Sequence, residues 1–156
     1  MIKKFCEFIK EGWTTTTTDE VSSNESDVIK FLKIVENWED SRDERKLKAA
    51  FGSAKGLFIG GNASKFSPII NRILGDSSIY VNEATVMGKN FAKFAEKYRG
   101  EILIFDKLPV FESDGAVSIL KDVLDNTNAF IVINTDKTYK ELKDDFSDIA
   151  SRVYAV

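Results

Sequence analysis

Three places in the chain hold side chains able to do chemistry. The first is the turn Gly60-Gly61-Asn62-Ala63-Ser64-Lys65-Phe66-Ser67, the second is the acid Asp106 at the end of an apolar run, and the third is the polar pair Asn134-Thr135 closing another. A glycine-rich turn between a strand and a helix suits phosphate. In the pattern GxxxxGK[ST] the glycines let backbone N–H groups converge on the oxygens, the lysine reaches the outer phosphates and the hydroxyl holds magnesium. Counted from Gly60, Lys65 falls where the second glycine belongs, Phe66 where the lysine belongs and Ser67 where the hydroxyl belongs. Counted from Gly61, Ser67 takes the lysine position and Pro68 the hydroxyl position. Neither count gives a working loop, because a bulky residue in place of the second glycine spoils the nest of N–H donors. The plainer reading is a strand-to-helix turn, with Lys65 able to reach a phosphate only from a neighbouring position.

Composition removes much other chemistry. The 156 residues contain no histidine, which excludes Ser-His-Asp and Cys-His nucleophiles, histidine general bases and histidine metal sites. Cys6 is the one cysteine, so there is no internal disulfide, redox pair or thiolate zinc site. A net charge of −3 supplies no basic field for nucleic-acid backbones, and no direct nucleic-acid signature stands in the chain. No apolar stretch approaches the roughly 20 residues that span a bilayer, so no membrane partner is expected. Apolar residues make up 43% of the chain, enough for the core of one compact domain.

The elements that must position the candidate residues show in the pattern of apolar runs. DVIKFLKIVENW, from Asp27 to Trp38, puts Ile29, Leu32, Val35 and Trp38 on one helix face, and the mixed-charge run from Glu39 to Lys48 reads as a solvated face or exposed turn. From Gly56 onward short apolar runs alternate with helical segments. Strands are expected at 56–60, 79–81, 101–106, 129–133 and 152–156, with helices at 66–74, 83–99, 114–124 and 140–146. Ser67-Pro68 suits a helix start, where the missing N–H of proline costs nothing. This alternation argues for an α/β fold, a mainly parallel five-stranded sheet in three layers, with ligands at the carboxyl ends of its strands.

The succession GLFIGGNASKFSPIINRIL, NEATVMGKNFAKFAEKYRGEILIFDKLPVF, DGAVSILKDVLD and FIVINTDKTYKELKDDFSDIASRVYAV resembles the P-loop core of AAA+ ATPases, and is similar above all to phage-encoded members. The likeness runs from Gly56 to Val156 and implies strand order 5-1-4-3-2, without the helical lid of the family. It implies that Gly60, Gly61, Lys65 and Ser67 are vestiges of the phosphate loop. It also implies that Asp106 is the magnesium-holding acid, with Lys107 standing where the second, water-polarising acid belongs. Asn134 or Thr135 matches the polar sensor, and Arg152 matches the arginine finger offered to a neighbouring subunit. With the loop and the second acid damaged, hydrolysis is not expected. No cofactor is expected either, ATP with magnesium remaining the alternative. Two other likenesses are weaker: Tyr139 and Lys143 have the Tyr-xxx-Lys spacing of short-chain dehydrogenases, and Asp106 the place of a phospho-receiver aspartate, but neither motif is completed.

Ahead of this core, Met1-Ile-Lys-Lys-Phe-Cys-Glu-Phe-Ile-Lys-Glu-Gly12 reads as a short amphipathic helix and 13–26 as a polar linker, leaving 27–156 as the domain. The start resembles the capsid-targeting peptide of internal head proteins in T-even-like phages. Ile9, Glu11 and Gly12 then mark the point where a prohead protease cuts after Ile-Lys-Glu. The implied role is a structural or accessory protein of a tailed phage, found inside the virion or in the host cytoplasm during infection. Its implied partners are the scaffold or capsid and the prohead protease. An active nucleotide-dependent ATPase or switch is the alternative, and a third reading is a cap or inhibitor of a related AAA+ ATPase.

Overall fold

The computed structural model describes residues 23–41, 43–81, 101–108, 111, 114–126 and 129–156. The amphipathic start with Ile9, Glu11 and Gly12, most of the linker, and the helix expected at 83–99 lie outside the described residues. Helix α1 (Glu25–Ser41) and helix α2 (Glu44–Phe51) lead into strand β1 (Gly56–Gly60), helix α3 (Ala63–Leu74) and strand β2 (Ser78–Tyr80). Strand β3 (Ile102–Asp106), helix α4 (Asp114–Asn126), strand β4 (Phe130–Thr135), helix α5 (Tyr139–Asp145), helix α6 (Ser147–Ala150) and strand β5 (Val153–Ala155) follow. Among the described residues no helix is long and apolar enough to cross a membrane.

All five strands run parallel in the order β2-β3-β4-β1-β5, the expected order read from the other edge. Strands buried on both faces of a parallel sheet read as unbroken apolar runs, which is why GLFIG, ILIFD and FIVINT stand out. Alternate residues then sort to opposite faces. Leu57, Ile59, Ile102, Ile104, Phe130 and Val132 pack under α1, α2 and α3, while Phe58, Leu103, Phe105, Ile131 and Ile133 pack under α4, α5 and α6. Helices therefore cover both faces of the sheet.

Three local differences from the expected elements have physical causes. Helix α1 buries Val28 rather than Ile29 alongside Leu32, Val35 and Trp38, a one-residue rotation that leaves Ile29 half-buried. Part of the charged run at 39–48 is helical. Asp43 caps α2 by accepting from the Arg45 N–H at 3.1 Å, and the helix is held down by Phe51, whose ring meets Phe31, Phe130 and Tyr154. The run is solvated, as expected, yet it ends in a core anchor. Helix α3 starts at Ala63, so Pro68 lies inside it rather than at its first turn. Asn62 is the N-cap, accepting from the Lys65 N–H at 3.3 Å, and this earlier cap moves the start.

Ser23 closes the sheet where β5 runs out. Its N–H donates to the Gly60 carbonyl and its Oγ accepts from the Gly60 N–H, both at 2.9 Å, so the last residue of β1 is satisfied on its outer edge. Ser23 and Asn134 are the two buried polar side chains among the described residues, and both serve the carboxyl end of the sheet.

Candidate functional site

The carboxyl ends of β1, β3 and β4 meet because the strands are neighbours in register: Ile59 lies beside Asn134, and Asn134 beside Asp106. Gly60 is tightly enclosed there. A Cβ on it would run into the Lys137 carbonyl and the Phe58 ring. Gly61 adopts φ 95°, a conformation that glycine reaches without strain, and turns the chain after two residues into α3. The Gly61 N–H donates to the Thr135 carbonyl at 3.1 Å, tying the turn to β4.

Within this corner the sequence candidates Ser67, Asp106 and Asn134 come together. The Ser67 hydroxyl donates to Asp106 Oδ1 at 2.7 Å, and Asn134 Nδ2 donates to the same oxygen at 2.8 Å. Asn134 Nδ2 also lies 3.0 Å from the Ala63 carbonyl and 3.3 Å from Ser67 Oγ. Asn134 is 1% exposed, and its Oδ1 is buried without a hydrogen-bond partner. A buried unpaired oxygen costs free energy, and the contacts of the neighbouring amide nitrogen work against that cost. The Asp106 charge is felt across β2: burial first, and this carboxylate second, push the Tyr80 phenol above its ordinary range.

Two of the backbone donors at the start of α3 are engaged inside the chain. Ala63 N–H donates to Asp136 Oδ1 at 2.8 Å, and Lys65 N–H to Asn62 Oδ1. Asp136 thus sets a negative charge against the positive end of a helix that has no acid in its own first turn. Phe66, which the GxxxxGK[ST] count from Gly60 sets at the lysine place, is fully buried in the core beneath α1. Lys65 points outward, its ammonium 3.8 Å from Glu25 and over the Phe66 ring.

Arg152 is not part of this corner. It precedes β5, at the opposite end of the strands, where its guanidinium donates to the Asp125 carboxylate and the Asp148 carbonyl. That bond holds the Asp125 carboxyl below its ordinary range and raises Arg152 above its own. Tyr139 donates its hydroxyl to the Ala150 carbonyl at 3.1 Å and Lys143 lies over its ring, so the Tyr-xxx-Lys spacing serves packing between α5 and α6.

Two participants were not singled out from the sequence. Asp136 and Ser23 reach the turn from 73 and 37 residues away, and no local pattern marks either. Among the described residues no group of three or more His, Cys, Asp or Glu side chains is placed to hold a metal ion. No protein-family model and no curated protein matches the chain.

Proposed function

We infer that the chain is a P-loop domain of AAA+ type whose nucleotide chemistry has decayed, and that it serves as a structural or accessory protein inside the head of a tailed phage. The resemblance in sequence brings the family. Consistent with it are the parallel order β2-β3-β4-β1-β5 and the gathering of Ser67, Asp106 and Asn134 at one corner. The observation that carries the loss of catalysis is Phe66, fixed in the core where the phosphate-binding lysine would stand, with Lys65 turned out toward Glu25. A triphosphate finds no cradle in a two-residue turn whose helix start is capped by Asn62 and Asp136. Lys107, in place of the second acid, leaves no general base beside Asp106. Arg152 is spent on Asp125, which weighs against a role as a finger offered to a neighbour.

Calorimetry with ATP and magnesium tests the decay. The expected outcome is no binding tighter than about millimolar, equivalent to about 4 kcal/mol. A micromolar constant abolished by Lys65→Ala would show a working site and overturn the reading. The head assignment rests on the amino-terminal peptide. Deleting residues 1–11 should leave the melting temperature unchanged and abolish packaging, and the virion protein should begin at Gly12. Virion protein that keeps Met1 refutes it.

A further inference from the structure

Beside the Ser67-Asp106-Asn134 corner, the segments that leave β3 and β4 wall a cleft of about 430 Å³. That volume lies within the roughly 300–1,000 Å³ of small-molecule sites, and carboxyl strand ends are where parallel sheets take ligands. One wall is apolar. Leu108 and Phe111 form it, and both pack against the core beneath α4 and α5. The lining also carries charge, with Lys107, Asp136, Lys137 and Glu141.

The two carboxylates are already committed to backbone. Asp136 caps α3 through the Ala63 N–H, and Glu141 closes a capping box by accepting from the Thr138 N–H at 2.8 Å. That N–H bond is the main reason the Glu141 carboxyl is held below its ordinary range. Each negative charge therefore faces the positive end of a helix. Neither ammonium group faces such a helix end, although Lys137 lies near enough to Glu141 for its charge to add to the lowering of that carboxyl. Among the described residues neither Lys107 nor Lys137 is ion-paired, and Lys137 Nζ lies 5.8 Å from the Phe146 ring centroid. Lys107 also holds φ 59°, a left-handed conformation that a lysine rarely adopts, pinned by its N–H to the Asn134 carbonyl at 2.9 Å. Backbone strain of this kind gathers at ligand clamps.

We propose that this cleft binds a small organic anion, an apolar body on Leu108 and Phe111 carrying a doubly charged head, such as a phosphate monoester, between Lys107 and Lys137. The cleft adjoins the capped turn at Gly61, since Thr135 and Asp136 line it and also bond to that turn, but its anion site uses Lys107 and Lys137 and does not depend on nucleotide chemistry there.

Phenyl phosphate is the probe, titrated into the uniformly ¹⁵N-labelled full chain, with inorganic phosphate and benzyl alcohol testing head and body alone. The expected result is saturable shifts at the amides of Lys107, Leu108 and Lys137. Affinity should fall by about tenfold in Lys107→Gln and in Lys137→Gln, and stay unchanged in Lys65→Gln. Lys107→Gly relieves the backbone and removes the ammonium, so it should lose binding while melting no lower than the parent chain. Shifts confined to Gly61–Ser67 would place the anion at the turn and overturn the proposal. So would the absence of saturation, equal affinity for inorganic phosphate, or binding undisturbed in both glutamine variants.

Discussion

Replacing Asn134 by Asp turns a buried amide donor into a second carboxylate beside Asp106. Asn134, itself 1% exposed, holds its Nδ2 2.8 Å from Oδ1 of the half-buried Asp106, so the substitution sets two carboxylates face to face. At about 4 Å and an effective dielectric near 20, two unit charges repel by about 4 kcal/mol. The escape is to keep one proton on the pair. An unfolded aspartate ionises near pH 3.9, so holding that proton at pH 7 costs about three pH units of about 1.4 kcal/mol each, again roughly 4 kcal/mol. Both routes set a loss of that size at neutral pH. The sign with pH follows from proton binding: the folded variant keeps its shared proton above pH 3.9 while the unfolded chain releases it, so its stability falls as pH rises. Below about pH 4 both states hold the proton and the penalty disappears. Urea unfolding of the variant and the parent at pH 4 and pH 7 measures it. Asn134→Ala is the control. It loses a hydrogen bond to a charged group, about 1.5–3 kcal/mol, partly offset by removing the unpaired Oδ1, and its deficit should change much less between pH 4 and pH 7 than that of Asn134→Asp. An Asn134→Asp deficit equal at the two pH values would refute the reasoning.

Gly60→Ala drives a methyl into the Lys137 carbonyl and the Phe58 ring, and should destabilise by about 1–3 kcal/mol or more, read as a lower urea midpoint. Ser23→Ala strands the buried Gly60 N–H and should cost about 1–3 kcal/mol, whereas Ser23→Thr, which keeps the hydroxyl, should recover most of it in the same assay. Glu141 is held below its ordinary range by the Thr138 N–H, so its capping contribution is complete above the unfolded value near pH 4.3 and is lost as pH falls through the lower folded value. Acid titration of Glu141→Gln, followed by helix circular dichroism, should show a shallower loss over that interval than the parent.

Local sequence decided whatever depends on neighbours along the chain. The runs at β1, β3 and β4 are apolar throughout because both faces of those strands are covered, and α1 repeats its apolar residues at helical spacing; both signals lie in contiguous residues. The departure of the turn from GxxxxGK[ST] is equally visible, since Lys65 and Phe66 stand in sequence where that pattern has glycine and lysine. The tertiary structure decided the rest. Helix α3 starts at Ala63 rather than Phe66, with Asp136 taking the Ala63 N–H from the far end of β4. Phe51 turns a solvated charge run into an anchored helix by finding Phe130 and Tyr154 on strands that come later in the chain. Ser67, Asp106 and Asn134 become one hydrogen-bonded group only when β3, β4 and β1 lie side by side. Propensity and periodicity act over a few residues, while these bonds join groups 28 to 73 residues apart, and their partners exist only after the strand order has been set.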